Sequence, residues 1–347
     1  MRGGEKVFEV FCDLYPEADI FTLVADESKL SDKIRKHKIT TSFLQRIGGV
    51  KHYKKMLPLM PFALESFDLT GYDLVISSEA GPAKGIVARP DALHICYCHS
   101  PMRYVWDQFP EYQRSSGRLT RKMMNIVAPF VRQWDVTTAS RVDHFIANSN
   151  YVARRINKYY RRDATVINPP VDVSRFSIGT SSDVYICAGE ITPYKKIKIA
   201  VRAFNELGLP LKIIGSGATE SLKKIAGPNI EFLGRIGDEE MAHWFSRCRA
   251  LIFPGVEDFG IVPLEVMAAG RPVIAFARGG AVESIVDGKS GLLFATQDEA
   301  SLIEAVRRFE SQGVEYSPEQ MQAHANGYNR ERFAREIKAF VDAALVN

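Results

Sequence analysis

The chain has 347 residues, 46% hydrophobic and 25% charged, which fits two soluble domains of about 150 residues each and excludes a disordered chain. Lysine and arginine outnumber aspartate and glutamate by 45 to 41, and a net charge of +4 permits an anionic substrate or membrane surface but excludes a strongly basic nucleic-acid binder. No apolar stretch approaches the roughly 20 residues of a membrane span, and no secretory signal is read. The five cysteines (Cys12, Cys96, Cys98, Cys187 and Cys248) are odd in number and lie mostly in apolar runs, as expected of reduced thiols in a cytoplasmic protein.

Along the first half, helical spacing runs from Lys6 to Asp13, and Asp19 to Leu23 follows as a strand after a turn at Pro16. A strand-helix-strand unit is read as lacking its opening strand. Tyr72 to Ser77, Leu93 to Cys98 and His144 to Asn148 are further short strands, at intervals that suit parallel crossovers. Arg118 to Arg141 mixes basic and apolar residues. It reads as a core helix with a solvated face or as a segment lying on an anionic membrane.

The strand at Ala164 to Asn168 ends in Pro169-Pro170, and the polar run Gly179 to Ser182 follows, which marks a domain boundary. The second half alternates strands with helices: strand Val184 to Gly189, helix Ile197 to Leu207, strand Leu211 to Gly215, strand Ile230 to Gly234 and helix Asp238 to Cys248. Strand Ala250 to Phe253, helix Leu264 to Ala269 and strand Val273 to Phe276 continue it, and an amphipathic helix from Arg330 to Leu345 closes the chain. Such a parallel sheet binds ligands beyond the carboxyl ends of its strands.

One of those loops carries the strongest chemistry. In GVEDFGIVPLEVMAAG, residues 255–270, Glu257 lies in the loop and Glu265 in the expected first helical turn, with Gly260 between them. Gly260 admits close approach of the main chain, and the helix start offers N–H groups and a positive dipole end to a phosphate. Carboxylates accept from hydroxyls, so the pair suits the hexose and ribose ends of a sugar nucleotide. Equally, Glu265 could complement the helix dipole and Glu257 be solvated.

Other loops fit a phosphate site less specifically. Lys195 and Lys196 follow Gly189 at a distance that suits a diphosphate or a solvated basic turn; Gly215-Ser216-Gly217 makes a phosphate loop or an ordinary turn; Gly3-Gly4 makes a phosphate-facing loop or a plain cap. His99 ends a strand at its carboxyl edge and could face a ligand or be structural. A metal set of His94, Cys96, Cys98 and His99 is disfavoured by strand alternation, which sends neighbours to opposite faces. No aspartate-x-aspartate metal-diphosphate motif is found, so no metal is expected.

The Glu257-x7-Glu265 pattern within EDFGIVPLEVMAAGRPVIA, followed by GGAVESIVDGKSGLLF, resembles the family 4 retaining glycosyltransferases of the GT-B fold. The likeness is to the bacterial mannosyltransferase-like group of O-antigen and exopolysaccharide assembly. CYCHSPMRYVWD, ANSNYVARRI, PPVDVSRF and FLGRIGDEEM extend it over nearly the whole chain. It implies an α/β protein of two Rossmann-like domains whose parallel sheets face a central cleft. Residues 1–168 would bind the acceptor, 169–328 the nucleotide sugar, and 329–347 would pack back across the domains.

By resemblance, Glu257 would hold donor hexose hydroxyls, Phe259-Gly260-Ile261 would present N–H groups to sugar and phosphate, and Glu265 would bind the ribose. Lys195 would neutralise the diphosphate, His99 would touch the sugar near its reacting centre, and Gly234-Arg235 would lie beside the base. Gly3 and Gly4 would form the loop between donor phosphate and acceptor. The donor implied is GDP-mannose, the acceptor a glycan or polyprenyl-linked oligosaccharide, and the setting cytoplasmic with peripheral contact to an anionic membrane. Two departures stand out: Glu190 occupies the place of a usual arginine after Gly189, with Lys196 as its substitute, and the opening strand is missing. A nucleotide-sugar epimerase of the same fold and a degenerate sugar-nucleotide or glycan binder are the alternatives.

Overall fold

The computed structural model describes residues 3–346, which form two compact units: residues 3–168 with 333–346, and Pro169–Arg332. The first unit opens with the helix Gly3–Leu14, followed by β1 (Ile20–Thr22), β2 (Ile39–Thr41), β3 (Leu74–Glu79), β4 (Leu93–Cys98), β5 (His144–Ala147) and β6 (Ala164–Val166). All pairings are parallel, but they fall into two sheets, β1-β2 and β3-β4-β5-β6. β1, β2, β3 and β6 are thus the edge strands of these two sheets.

Alternation along β4 separates two cores. Ile95 and Tyr97 pack with Val7, Val10 and Phe11 of the first helix and with Phe333, Ile337 and Val341 of the last helix, Arg330–Val346. Cys96 and Cys98 face the other way, onto Val152, Ile156 and Tyr160 of the helix Asn150–Tyr160. A strand buried on both faces reads as a near-continuous apolar run, and LHICYC does so apart from His94.

The second unit contains β7 (Tyr185–Ala188), β8 (Leu211–Ile214), β9 (Ile230–Gly234), β10 (Leu251–Phe253), β11 (Val273–Phe276) and β12 (Gly291–Phe294). They form one parallel sheet in the order β12-β11-β10-β7-β8-β9. Tyr185 and Cys187 point to the face covered by the helices Ile197–Leu207 and Glu299–Gln312, and Ile186 and Ala188 to the face covered by Ile261–Ala268. Helices on both faces of an open parallel sheet make this a doubly wound, Rossmann-like unit.

Candidate active site

Strand order in the second unit reverses between β7 and β10, whose carboxyl ends lie side by side. Ligands of such sheets bind at this switch point, so the loops leaving β7 and β10 are where the chemistry belongs.

The loop after β7 begins at Gly189, φ +115°, where an added Cβ would lie 2.3 Å from Lys195 Nζ. The ammonium therefore rests against the strand end. Residues Pro193–Lys195 make a tight turn, and Lys196, at φ +53°, leads into the helix Ile197–Leu207. A left-handed lysine costs on the order of 1 kcal/mol, which concentrates strain in the lysine turn.

Lys195 is 9% exposed, and its Nζ lies 3.0 Å from Glu257 Oε1 in the loop after β10. The contact is a close, buried ion pair in which the ammonium is the partner of that oxygen. Thr192 Oγ1, in the lysine loop, is buried without a hydrogen-bond partner among the described residues. Such an atom costs about 1–3 kcal/mol, so the lysine loop keeps polar capacity that a ligand group can satisfy. Burial works to lower the Lys195 pKa, but Glu257, with Tyr194 and Glu190, outweighs it and holds the ammonium above the ordinary lysine range. Glu190, exposed at the surface, thus acts on the same ammonium.

Small residues make this junction possible. An added Cβ at Gly255 would lie 2.7 Å from Lys195 Cα, one at Gly279 2.5 Å from Glu257 O, and one at Gly280 2.2 Å from Phe259 Cα. Gly280 N donates to Glu257 O at 2.9 Å. The Phe259 ring turns inward, 3% exposed and 5.9 Å from the Tyr328 ring, leaving its backbone as the part available to a ligand.

Gly260, φ +88°, caps the helix Ile261–Ala268, which begins three residues before the expected Leu264. Pro263 is its third residue, where the missing N–H interrupts no intrahelical bond. The placement of Glu265 in the first turn is corrected: it is the fifth residue, and the first turn holds no acidic residue. Dipole interactions fade within the first turn, so complementing the helix start does not account for Glu265. The helix ends in a Schellman motif, with Gly270 at φ +75°, Gly270 N donating to Met267 O and Arg271 N to Val266 O.

Neighbouring strand ends are stitched to this junction. An added Cβ at Gly215 would meet Gly189 O at 2.0 Å, and Gly215 N donates to Gly234 O at 2.7 Å. Gly234, φ +69°, closes the edge strand β9, and Arg235 leaves it exposed, two strands from β7.

The remaining sequence candidates belong to the first unit. Gly3 and Gly4 are corrected from a loop to the first turn of the helix Gly3–Leu14, because the helical hydrogen bonding extends back beyond Lys6. An added Cβ at Gly4 would lie 3.6 Å from His99 Nε2, which brings these two candidates together. His99 leaves the carboxyl end of β4; its Nε2 is 2.9 Å from Ser78 Oγ, and its carbonyl accepts from Asn148 Nδ2 at 2.9 Å. Burial pushes its pKa down to about 4, so the ring is neutral at pH 7. His94 is held between Ser77 Oγ and Arg141 O, a structural position. It shares a β4 face with Cys96 and Cys98, opposite to Tyr97.

Sequence reasoning missed Ser78, Thr192, Gly255 and the Gly279-Gly280 pair as parts of these sites. Gly-Gly after an apolar strand was the available signal for the last.

Residues 10–175 match the family model described as Glycosyltransferase Family 4, and residues 182–312 the model described as Glycosyl transferases group 1. A D-inositol 3-phosphate glycosyltransferase of Nocardioides sp. is 31% identical over 208 residues, 48% of this chain and 45% of the relative. An uncharacterised glycosyltransferase of Methanocaldococcus jannaschii is 31% identical over 159 residues, 44% of this chain and 45% of the relative. The chain thus spans about half the length of these curated relatives. Among solved structures, a sucrose-phosphate synthase from Thermosynechococcus elongatus aligns with a TM-score of 0.73 at 17% identity, covering 98% of this chain and 92% of that one. HepE of Anabaena, solved with UDP-glucose, aligns with a TM-score of 0.73 at 17% identity over 99% and 96%. These likenesses show the fold, two Rossmann-like domains of the GT-B type.

Proposed function

We propose that this chain, a family 4-type glycosyltransferase of the GT-B fold, transfers a hexose from a nucleotide sugar to a glycan or lipid-linked acceptor. The observation that carries the proposal is the Lys195–Glu257 pair, buried at the switch point of the second sheet, with the unpartnered Thr192 Oγ1 in the same lysine loop. In this reading the donor diphosphate takes Lys195 as its counter-ion, and Glu257, relieved of the pair, accepts from hexose hydroxyls. Phe259-Gly260-Ile261 offers backbone N–H groups to sugar and phosphate, Glu265 accepts from the ribose, and Arg235 lies beside the base.

Cleavage of the anomeric C–O bond leaves negative charge on the diphosphate and an oxocarbenium-like sugar. Fixed positive groups at the leaving oxygens lower that barrier most, a role assigned to Lys195 and Lys196 rather than to a metal ion. His99 contacts the sugar near its reacting centre. Retention follows from attack on the face the diphosphate leaves, the departing phosphate taking the acceptor proton, with Glu257 positioning the sugar. Mannose from GDP-mannose, and a place in cell-surface polysaccharide assembly, rest on the sequence resemblance. UDP-glucose, bound by the HepE neighbour, is the competing donor.

One observation favours a second reading, a donor binder without turnover: Glu190 places a carboxylate in the field of Lys195. Incubation with a panel of GDP- and UDP-sugars separates the readings. Glycosylated product that needs acceptor establishes transfer; an epimerised donor without acceptor establishes isomerisation; saturable donor binding with no product establishes the binder.

A further inference from the structure

Two segments of the first unit, residues 42–64 and 112–134, are each 23 residues long and contain no acidic residue, whereas the chain has 41. Together they hold nine of its 45 lysines and arginines; the rest of the chain, with 36 against 41, carries a net −5. The same segments hold eleven of the seventeen large hydrophobic side chains found exposed among the described residues. Cationic and apolar surface are therefore concentrated in the same place.

On the helix Arg118–Thr138 the apolar surface is a stripe: Leu119, Met123, Ile126 and Phe130 recur at helical spacing on one face and are 75%, 55%, 66% and 72% exposed. Ala128, Val131 and Asp135 on another face are buried. The helix therefore buries one face, as the core-helix reading expects, while its exposed face carries an apolar stripe with exposed Arg118 and Lys122 at the border. The segment 42–64 lies beside it. Leu57 packs against the cluster that Val127 and Trp134 also contact, and Glu65, just beyond, accepts from Trp134 Nε1 at 3.1 Å. This neighbour adds Phe62, 69% exposed, with Lys51 and Lys55 exposed.

We propose that this face of the first unit docks on an anionic phospholipid bilayer, the apolar stripe entering the headgroup boundary and the cations meeting lipid phosphates. An interfacial helix needs apolar side chains that enter the boundary and lysines or arginines that stay at the headgroups, which is the pattern here. A second copy of the chain would bring two cationic surfaces together, and a polyanion would leave the stripe in water. The proposal deepens the lipid-linked acceptor reading and rests on it, but its test needs neither donor nor acceptor, so the two can fail separately.

The test is co-sedimentation of the full chain with vesicles of phosphatidylcholine alone and mixed with phosphatidylglycerol. Wild type should bind the anionic vesicles at least about tenfold more tightly, and less tightly as salt shortens the screening length from about 10 Å at 0.1 M to about 3 Å at 1 M. The double variant Ile126→Ser/Phe130→Ser should lose about tenfold in binding with an unchanged melting temperature, since both side chains are exposed in the folded unit. Arg118→Glu/Lys122→Glu should lose a similar factor. Equal binding to both vesicle types, binding by the serine variant at the wild-type level, or concentration-dependent dimerisation through the stripe without vesicle binding would overturn the proposal.

Discussion

Lys195 Nζ lies 3.0 Å from Glu257 Oε1, which ties the loop leaving β7 to the loop leaving β10 across 62 residues of sequence. In the proposed reaction the pair must open, because a diphosphate and Glu257 compete for one ammonium. The resting pair keeps Lys195 charged and both loops in register until the donor arrives.

Replacing Lys195 with alanine should therefore lower kcat/KM for transfer by about 10²–10³, the loss typical of removing one fixed group that stabilises developing charge. The change should also leave Glu257 without its cation, so melting temperature is measured alongside. Transfer at the wild-type rate by a folded Lys195→Ala chain removes the residue from the mechanism.

The local elements were legible because each rests on a nearby pattern. Leu93–Cys98, Ile197–Leu207, Ile230–Gly234 and Val273–Phe276 have the bounds that apolar runs and helical spacing predict. β2 was not, because Ile39-Thr40-Thr41 is short, largely polar and only partly buried. The early start of the helix Ile261–Ala268 was hidden because Gly260 caps it with a positive φ and β-branched Ile261 and Val262 resemble a loop or strand. Sequence offered both Lys195 and Glu257 as candidates, but a pair between residues so far apart depends on strand order, which no local pattern reports.

Acid stability should report three groups of the first unit: His94 and Glu79, which are buried, and His99, which is half-buried. Burial holds His94 and His99 down at about 4 against an ordinary value of about 6.5, so the unfolded chain binds those protons first. Their stabilisation is fully present above about pH 6.5 and is lost as pH falls toward 4. Glu79 runs oppositely: burial, aided by Asp135 and opposed by Lys84, raises it to about 7 from about 4.5, so its contribution is present below about pH 4.5 and is lost as pH rises through 7. Between roughly pH 6.5 and 4.5 the two histidines outweigh one glutamate by about one proton, so the contribution of these three groups falls by about 1 kcal/mol for each pH unit lost. Glu79→Gln should steepen that fall in urea midpoints taken at pH 7, 6 and 5; a flatter profile contradicts the assignment.

The surroundings of Glu79 predict a large stability effect within the first unit. Lys84 is fully buried, paired with Asp135 and 3.7 Å from Glu79, and Asp135 Oδ2 accepts from Trp106 Nε1 at 2.7 Å and Tyr160 OH at 2.9 Å. Lys84→Met leaves the buried Asp135 carboxylate, and the partial charge that Glu79 carries near pH 7, without their cation and should cost about 3–5 kcal/mol in urea denaturation. Adding Asp135→Asn removes one of those charges and should recover at least half of the loss. If the double variant is no more stable than the single, the carboxylates are not what makes Lys84 necessary.

Two glycines separate strain from function. Gly189 and Gly208 both have positive φ, +115° and +68°, so alanine strains either backbone. Around Gly208 an added Cβ meets nothing within 4 Å, whereas at Gly189 it lies 2.3 Å from Lys195 Nζ. Gly208→Ala should lower stability by about 1 kcal/mol and leave transfer unchanged, because its only effect is conformational. Gly189→Ala adds displacement of the ammonium, which can move only by giving up its place against the strand end. Its kcat/KM should fall by at least about tenfold beyond any change in folded fraction, approaching the Lys195→Ala loss as the ammonium is pushed further from the leaving phosphate. Since both variants carry backbone strain, the comparison rests on the rate per folded molecule, measured at a temperature well below both melting transitions. Equal rates for the two would mean that the position of Lys195 over Gly189 does not matter to transfer.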